Sequence, residues 1–224
     1  MNTEGPPSRG DATREALIRA AVEIFGRDGF NATGTRAVAE AAGVNQALIA
    51  YHFGGKAGLY LAAIGHIVEH VRQRIDPLLA AIDAELGDAG SAAAADRCLA
   101  LLLQLLDAFV VVLTSEESGA WARLILKEQQ DPSDGFDLLY EGIMSRVLGI
   151  STRLIGRIRN IDPDSEDANL LGITLFGQVL IFRTGRAAVA RRTGWQQFTK
   201  REVAAVQALI RRNVTAILLQ EKPE

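Results

Sequence analysis

The segment from Thr35 to Phe53 constrains the fold of this chain more than any other part of its sequence. Its apolar residues recur at the spacing of two short helices that pack across a turn: Val38, Ala39, Ala42, Val44, Ile49 and Phe53. Gly43 falls between the two helices, where a positive φ angle is cheap only for glycine. The pattern predicts a helix over 35–42, a tight corner and a second helix over 45–53.

Two interpretations fit this pattern. An ordinary helical corner in an all-α protein explains Gly43 and the apolar spacing, and so does a helix-turn-helix that binds DNA. In the latter, the first residues of the second helix, here Asn45, Gln46 and Ala47, contact base edges in the major groove. The run 51–56, Tyr-His-Phe-Gly-Gly-Lys, favours the DNA-binding interpretation.

The composition sets limits on both interpretations. The chain has 224 residues, of which 48% are hydrophobic, enough for one good core or for a small head and a larger body. Its formal net charge is -3, so the basic balance typical of nucleic-acid-binding domains is absent. We therefore expect each subunit to contact DNA over a small area, so that a dimer is needed to bind DNA tightly.

The single cysteine, Cys98, excludes an intramolecular disulfide and fits a reducing cytoplasm. Its leucine-rich surroundings predict a buried, inert thiol. The N-terminus lacks a hydrophobic signal region, and the apolar runs 99–113 and 170–182 are shorter than the ~20 residues that span a bilayer. We expect a cytoplasmic protein without a membrane partner.

Helical periodicity covers the whole chain, and no alternating strand pattern occurs. The predicted helices span residues 13–28, 35–42, 45–53, 56–85, 92–114, 116–130, 133–160, 163–191 and 199–220, with a loop over 87–90. Pro77 is expected to kink or break the fourth helix. Asp131 and Asp162, each followed by proline, are predicted N-caps, and Thr199 with Glu202 has the form of a capping box.

The run from Leu17 to Tyr60 resembles the DNA-binding domain of the TetR family of bacterial transcriptional regulators. The resemblance rests on Ala20-Ala21, Phe25-Gly26, Gly29-Phe30, Val38-Ala39, Ala42-Gly43-Val44, Tyr51-His52-Phe53 and Lys56-x-x-Leu59. The order of residues 45–56, with Thr193-Gly194-Trp195, is most similar to the CecR-like branch. The resemblance implies an all-α protein in which a long helix joins a three-helix head to a C-terminal helical body. We expect a flexible arm at 1–11, a DNA-binding domain at 12–56 and a ligand-binding and dimerisation domain at 57–224.

The resemblance also implies which residues meet DNA. The predicted groove-facing residues are Thr35, Arg36, Gln46, Ala47, Leu48 and Ala50. Asn45 either caps the recognition helix or reaches a base, and the cap is favoured. Tyr51, His52 and Lys56 are predicted phosphate contacts, with Lys56 also near the positive end of a helix dipole. The family often has an aromatic residue or threonine where this chain has Ala50, which removes one possible contact.

The spacing His66-x-x-Glu69-His70 also occurs in a class of zinc peptidases. Two histidines four residues apart share a helix face and could hold one metal ion, but no third ligand can be located in the sequence. Polar positions on a linker helix explain them more simply. We find no credible catalytic pattern, so we expect neither an enzyme nor a metal site nor a cofactor.

The helix over 170–182 is apolar on most sides and must therefore be covered all round. We expect it to pair with the last helix in a homodimeric four-helix bundle. The predicted interface residues are Leu171, Leu175, Phe176, Val179, Phe182, Val206, Leu209, Ile210 and Ile217. A pocket for a small hydrophobic or aromatic effector is predicted around Phe109, Trp121, Tyr140 and Met144.

The resemblance thus implies a homodimeric repressor that binds a pseudo-palindromic DNA operator, is released by a small-molecule effector and lies on the bacterial nucleoid when bound to DNA. One alternative is a dimeric DNA-binding regulator controlled by a protein partner instead of a small molecule. A second alternative, much less favoured, is a metal-dependent enzyme that uses His66, Glu69 and His70.

Overall fold

The computed structural model describes residues 9–87 and 94–220, and every regular element in these ranges is helical. The helices are α1 (Arg9–Asp28), α2 (Thr35–Ala42), α3 (Ala47–Phe53), α4 (Lys56–Gly87), α5 (Ala95–Thr114), α6 (Ser118–Gln130), α7 (Asp134–Leu139), a π-helical turn (Tyr140–Met144), α8 (Ser145–Arg159), α9 (Glu166–Thr184), α10 (Arg186–Thr193) and α11 (Lys200–Leu219). The all-α prediction is confirmed.

Several predicted helix boundaries need correction. Helix α1 begins at Arg9, so residues 9–11 of the predicted arm are helical, while residues 1–8 lie outside the described ranges. Residues 88–90 of the predicted loop and residues 92–93 of the predicted fifth helix also lie outside them. Of the two effects expected of Pro77, a kink or a break, the break does not occur, because α4 is one helix through this residue. Pro77 is exposed, and the burial of Ile75 and Leu79 on either side compensates for the missing hydrogen bond.

The predicted caps at Asp131 and Asp162 are also wrong. Helices α7 and α9 begin later, because Ser133 and Ser165 provide the capping hydroxyls. The Asp162 carboxylate instead accepts a hydrogen bond from the amide of Asp164, 3.0 Å away, within its own turn. The capping box of Thr199 and Glu202 at the start of α11 is confirmed.

The predicted helix over 163–191 is two helices. Helix α9 ends at Thr184 and is capped by Gly185, and α10 then begins at an angle of 72° to it. A Cβ atom at Gly185 would lie 2.8 Å from the carbonyl oxygen of Ile181, so this bend needs glycine.

The chain divides into two compact units, which differ from the domains expected from the sequence. The first unit comprises Met1–His70 and Gly119–Gly142, and the second comprises Val71–Ser118 and Ile143–Glu224. Helix α7 and all of α6 except Ser118 therefore belong to the same unit as α1, α2 and α3.

In the first unit, α1 supplies the buried stripe that the sequence predicts: Leu17, Ile18, Ala21, Val22 and Phe25. Helix α6 packs closely against the end of α1. A Cβ atom at Gly26 would lie 2.8 Å from the carbonyl oxygen of Ala120, and the Arg123 guanidinium donates to the carbonyl of Gly26 at 3.2 Å. Only a glycine at position 26 permits this approach.

In the second unit, α5 packs against α8, α9 and α11. Helix α5 is long and apolar enough to cross a membrane by composition, and the bent pair α9 and α10 also passes that test. Ten of the α5 residues are buried within the unit, so α5 is a core helix of this unit. Cys98 is one of them, and its burial raises the pKa of the thiol, as expected for an unreactive cysteine.

Two glycines of α4 differ sharply in what surrounds them. A Cβ atom at Gly58 would lie 1.9 Å from the carbonyl oxygen of Phe53, whereas a Cβ atom at Gly65 would have no heavy atom within 4 Å. We expect Gly58→Ala to lower the free energy of unfolding by roughly 1–3 kcal/mol or more, because a backbone atom must move. Gly65→Ala, the matched control, should raise it by about 0.5–1 kcal/mol.

Thermal or denaturant unfolding followed by circular dichroism measures both effects. Equal stability of the two variants would contradict the close approach of Gly58 to the Phe53 carbonyl at the turn between α3 and α4.

Candidate nucleic-acid interface

Helices α2 and α3 meet at the corner that the sequence predicts. Gly43 has a φ of 68° and ends α2, and its amide donates to the carbonyl of Glu40 at 3.1 Å. The amide of Val44 then donates to the carbonyl of Ala39 at 3.0 Å, which closes the turn. The left-handed conformation at Gly43 thus sets the direction in which α3 leaves α2.

Helix α3 shows one face to the core and the other to solvent. The Asn45 carboxamide oxygen accepts a hydrogen bond from the amide of Ala47 at 2.8 Å, so Asn45 caps the first turn, as favoured from the sequence. Ile49 is buried. Gln46, Ala47 and Ala50 are exposed, and Leu48 is half-buried.

The start of α2 lies beside this exposed face. The Gln46 side-chain amide donates to the Thr35 hydroxyl at 2.7 Å and so links α3 to the first turn of α2. Gly34 precedes α2 and offers no side-chain cap to its first amides. Arg36 is exposed and pairs with Glu40 at 2.8 Å. The two helices thereby present polar side chains and uncapped amide groups on one surface.

The aromatic end of α3 adds to the same surface. The side chain of Tyr51 is 82% exposed, unusually open for an aromatic residue. The half-buried ring of His52 packs edge-on against it, with ring centroids 4.9 Å apart. The ring of Tyr51 is therefore not part of the core, and its hydroxyl is open to a partner.

Lys56 begins α4 immediately after two left-handed glycines. Gly54 has a φ of 71° and Gly55 a φ of 128°, which turn the chain sharply between α3 and α4. The Lys56 ammonium lies 4.5 Å from the centroid of the Phe30 ring and 3.5 Å from the carbonyl oxygen of Asn31. A cation–π contact and a hydrogen bond therefore hold this ammonium at the head of a helix.

A buried carboxylate in the same unit was not predicted from the sequence. Glu128 of α6 is only 3% exposed and accepts hydrogen bonds from the hydroxyl of Tyr60 and from the amide and hydroxyl of Ser133. Burial, and then the bond to Glu128, raise the pKa of the Tyr60 phenol. A cavity of about 650 Å³ borders this cluster, with Phe30, Tyr60 and Lys127 among its lining residues.

The four residues proposed for an effector pocket do not line this cavity. Trp121 and Tyr140 belong to the first unit, where Trp121 packs edge-on against His70 and Tyr140 is exposed. Phe109 and Met144 belong to the second unit, where the Phe109 ring packs against Phe176.

The two histidines of α4 stack with their ring centroids 6.1 Å apart. Burial, and then the neighbouring His70, lower the pKa of His66. Among residues 9–87 and 94–220, no group of three or more potential ligands could hold a metal ion.

The predicted dimer residues divide between core and surface. Leu175, Val179, Val206 and Ile210 are removed from the interface prediction, because they are buried within the second unit, where α9 and α11 pack against α5, α8 and each other. Leu171, Phe176 and Phe182 are half-buried, while Leu209 and Ile217 are exposed. The most exposed apolar side chains of α9 are not among the predicted interface residues: Leu170, Ile173 and Ile181.

Comparisons with known proteins agree with this arrangement of helices. Residues 17–63 match the family described as bacterial regulatory proteins of the tetR family. Residues 98–220, more than half of the chain, match the C-terminal domain of the HTH-type transcriptional dual regulator CecR. The chain is 29% identical to CecR of Shigella flexneri over 97% of its own length and 96% of that protein. It is also 52% identical to the regulatory protein RaaS of Mycobacterium tuberculosis, over 28% of this chain and 29% of RaaS.

Solved structures show the same fold. A TetR-like transcriptional regulator from Rhodococcus sp. RHA1 superposes with a TM-score of 0.63 at 20% identity, over 96% of this chain and 100% of that one. The fatty acid degradation regulator FadR from Bacillus halodurans gives a TM-score of 0.58 at 16% identity, over the whole of both chains. The chain therefore belongs to the TetR family of bacterial transcriptional regulators, in its CecR branch, and is a DNA-binding regulator and not an enzyme.

Proposed function

We propose that this regulator is a repressor that binds a pseudo-palindromic operator as a homodimer and is released by a small-molecule effector. The observation that carries the DNA-binding part is the open surface of α3. Gln46, Ala47, Ala50 and Tyr51 all face solvent there, while Ile49 anchors the opposite side. A cytoplasmic location, on the chromosome when bound, is part of this proposal.

On this surface, Gln46 reads base edges. A glutamine can bond adenine through two hydrogen bonds, and Ala47, Ala50 and Leu48 can contact a thymine methyl group. The bond from Gln46 to Thr35 restricts the rotamers of the glutamine, so less conformational entropy is lost when it meets a base. Asn45 is occupied as a cap and makes no base contact in this proposal.

Other groups position the protein on the DNA backbone without reading sequence. The Lys56 ammonium, the Tyr51 hydroxyl and the His52 ring bond phosphate oxygens. Thr35 and Arg36 act with the uncapped amides at the start of α2, where the helix dipole favours an anion. Because few cations take part, we propose that two heads are needed, in successive major grooves about 34–36 Å apart or a multiple of that distance.

An exposed apolar stripe on α9 supports the homodimer. Leu170, Ile173, Leu180 and Ile181 are each at least 39% exposed, and Gly177 lies within the stripe with open space around it. On α11, Leu209 and Ile217 are also exposed. An apolar surface of this extent is unusual for a monomer, and a symmetric copy of the same two helices would cover it.

Control by a hydrophobic or aromatic small molecule stays a proposal for which the structure assigns no lining residues. Its physical content is a coupling free energy of about 1–3 kcal/mol between the effector site and the DNA site. No cofactor is part of the proposal. The name of the Shigella flexneri relative, a dual regulator, makes activation of some promoters the second mode to test.

The effector proposal predicts that at least one member of a panel of hydrophobic and aromatic compounds lowers operator affinity by about 5- to 150-fold. Fluorescence anisotropy measures this change, with a labelled operator that the full-length protein has selected from random DNA. Unchanged affinity across a broad panel would favour control by a protein partner instead.

The DNA contacts predict two different mutant phenotypes. DNA selected from a random pool by the full-length protein, at a stated salt concentration, defines the operator. Gln46→Ala should then lose about 1–3 kcal/mol of discrimination at one base position in each half-site, since one bidentate contact disappears. Lys56→Ala should weaken binding to all sequences alike and reduce the salt dependence of the binding constant, since one phosphate contact per subunit disappears.

Gln104→Ala, at an exposed glutamine of α5, serves as the matched control and should bind as wild type does. Wild-type binding and specificity in both Gln46→Ala and Lys56→Ala would show that the assignment of roles is wrong.

The dimer proposal is tested with two leucines of equal exposure. Leu180 of α9 is 39% exposed and Leu126 of α6 is 40% exposed. We expect Leu180→Arg to raise the dimer dissociation constant by roughly 100-fold or more, because an unpaired charge must be buried in the dimer. Leu126→Arg should leave the dimer unchanged. Analytical ultracentrifugation measures both, and a wild-type protein that sediments as a monomer at micromolar concentration would overturn the proposal.

A further inference from the structure

The first unit contains part of the segment that matches the C-terminal regulatory domain. That match spans residues 98–220, yet Gly119–Gly142 pack in the same compact unit as the helix-turn-helix. Within this unit, the most buried polar connection between the two segments is the cluster of Tyr60, Glu128 and Ser133.

Glu128 is held from two directions. The Tyr60 hydroxyl donates to Oε1, while the amide of Ser133 donates to Oε2 at 3.0 Å. The Ser133 hydroxyl adds a bond of 2.9 Å to Oε2 and also caps α7 by accepting from the amide of Gly135 at 3.1 Å. A buried carboxylate is tolerated only when such donors surround it, so the position of Tyr60 is fixed to that of α6.

From Tyr60 the contacts continue to the DNA-binding surface. The Tyr60 ring packs edge-on against Phe30, with ring centroids 5.0 Å apart, and against Phe25 at 5.2 Å. The Phe30 ring in turn carries the Lys56 ammonium 4.5 Å from its centroid, and the next residue, Asn31, offers its carbonyl oxygen to the same ammonium. Three contacts in series, through the Tyr60 side chain and the Phe30 ring, therefore connect the Glu128 carboxylate to Lys56.

We propose that Tyr60 and Glu128 are positioning residues for DNA binding, which hold the Phe30 ring and thereby place the Lys56 ammonium against the DNA backbone. Neither residue touches DNA in this proposal. The inference rests on the proposed phosphate contact of Lys56, and it adds that α6 determines where this contact is made.

Tyr60→Phe is the sharpest test, because it removes only the hydroxyl and retains the ring. The ring is then no longer attached to α6, and Glu128 loses one of its donors, so the Phe30–Lys56 contact should loosen. A phosphate contact contributes about 0.9 to the slope of log K against log salt concentration, hence roughly 1.8 for the two Lys56 residues of a dimer. We expect Tyr60→Phe to lose most of that slope and to weaken operator binding by roughly 10- to 60-fold at 0.1 M salt, if binding at 1 M salt is unchanged.

A double-mutant cycle separates positioning from general destabilisation. Lys56→Ala should lower the slope by roughly 1.8 in the dimer, and adding Tyr60→Phe to it should change neither slope nor affinity further. A loss of folded protein would reduce the active fraction in every background without changing the slope. Glu141→Gln, at an exposed glutamate of the same unit, is the control for the glutamate variant Glu128→Gln and should bind as wild type does.

The outcomes distinguish this inference from the proposed function. If Lys56→Ala leaves the salt slope unchanged, the proposed phosphate contact is wrong. If Lys56→Ala lowers the slope but Tyr60→Phe behaves as wild type, the phosphate contact stands and the positioning role is overturned. Should Tyr60→Phe fail to fold, Glu128→Gln decides in its place, with the same slope reduction and the same non-additivity with Lys56→Ala expected, and with wild-type slope as the contradicting result.

Discussion

The DNA-binding surface depends on how one short helix is held. Helix α3 has only seven residues, and a helix of that length is not stable alone in water. Ile49 anchors its inner side, while Gly43 and Gly54 adopt left-handed conformations at its two ends. The Arg14 guanidinium lies 5.5 Å from the centroid of the Phe53 ring and adds a contact from α1. Because these constraints fix the rotation of α3 about its axis, they decide which side chains face outward.

Features set by neighbours within a few residues could be predicted from the sequence. The corner at Gly43, the cap formed by Asn45 and the capping box of Thr199 and Glu202 all depend on local backbone groups. The caps predicted at Asp131 and Asp162 are wrong because a second residue with a capping side chain lies nearby. Both Ser133 and Ser165 follow within three residues, and their hydroxyls reach the first free amides of α7 and α9.

Features set by distant partners could not be predicted. Glu128 lies between Lys127 and Gln129, a polar run typical of a solvated helix face, and it is buried only because Tyr60 and Ser133 provide donors. A helix such as α9, apolar on most sides, gives no periodicity that separates its inner face from its outer one. The packing of α9 against α5 and α8 places Leu175 and Val179 inside and leaves Ile173 outside.

The close packing of α6 against α1 limits how regulation can work within the first unit. Sliding α6 along α1 would bring the Ala120 carbonyl into the backbone at Gly26, and it would remove donors from the buried Glu128. Breaking the contacts of a buried charge costs about 3–5 kcal/mol, whereas the coupling between two allosteric sites is typically about 1–3 kcal/mol. An effector therefore supplies too little free energy to separate these helices. Helix α6 and the helix-turn-helix must respond as one body, with the positions of Tyr60 and Lys56 preserved inside it.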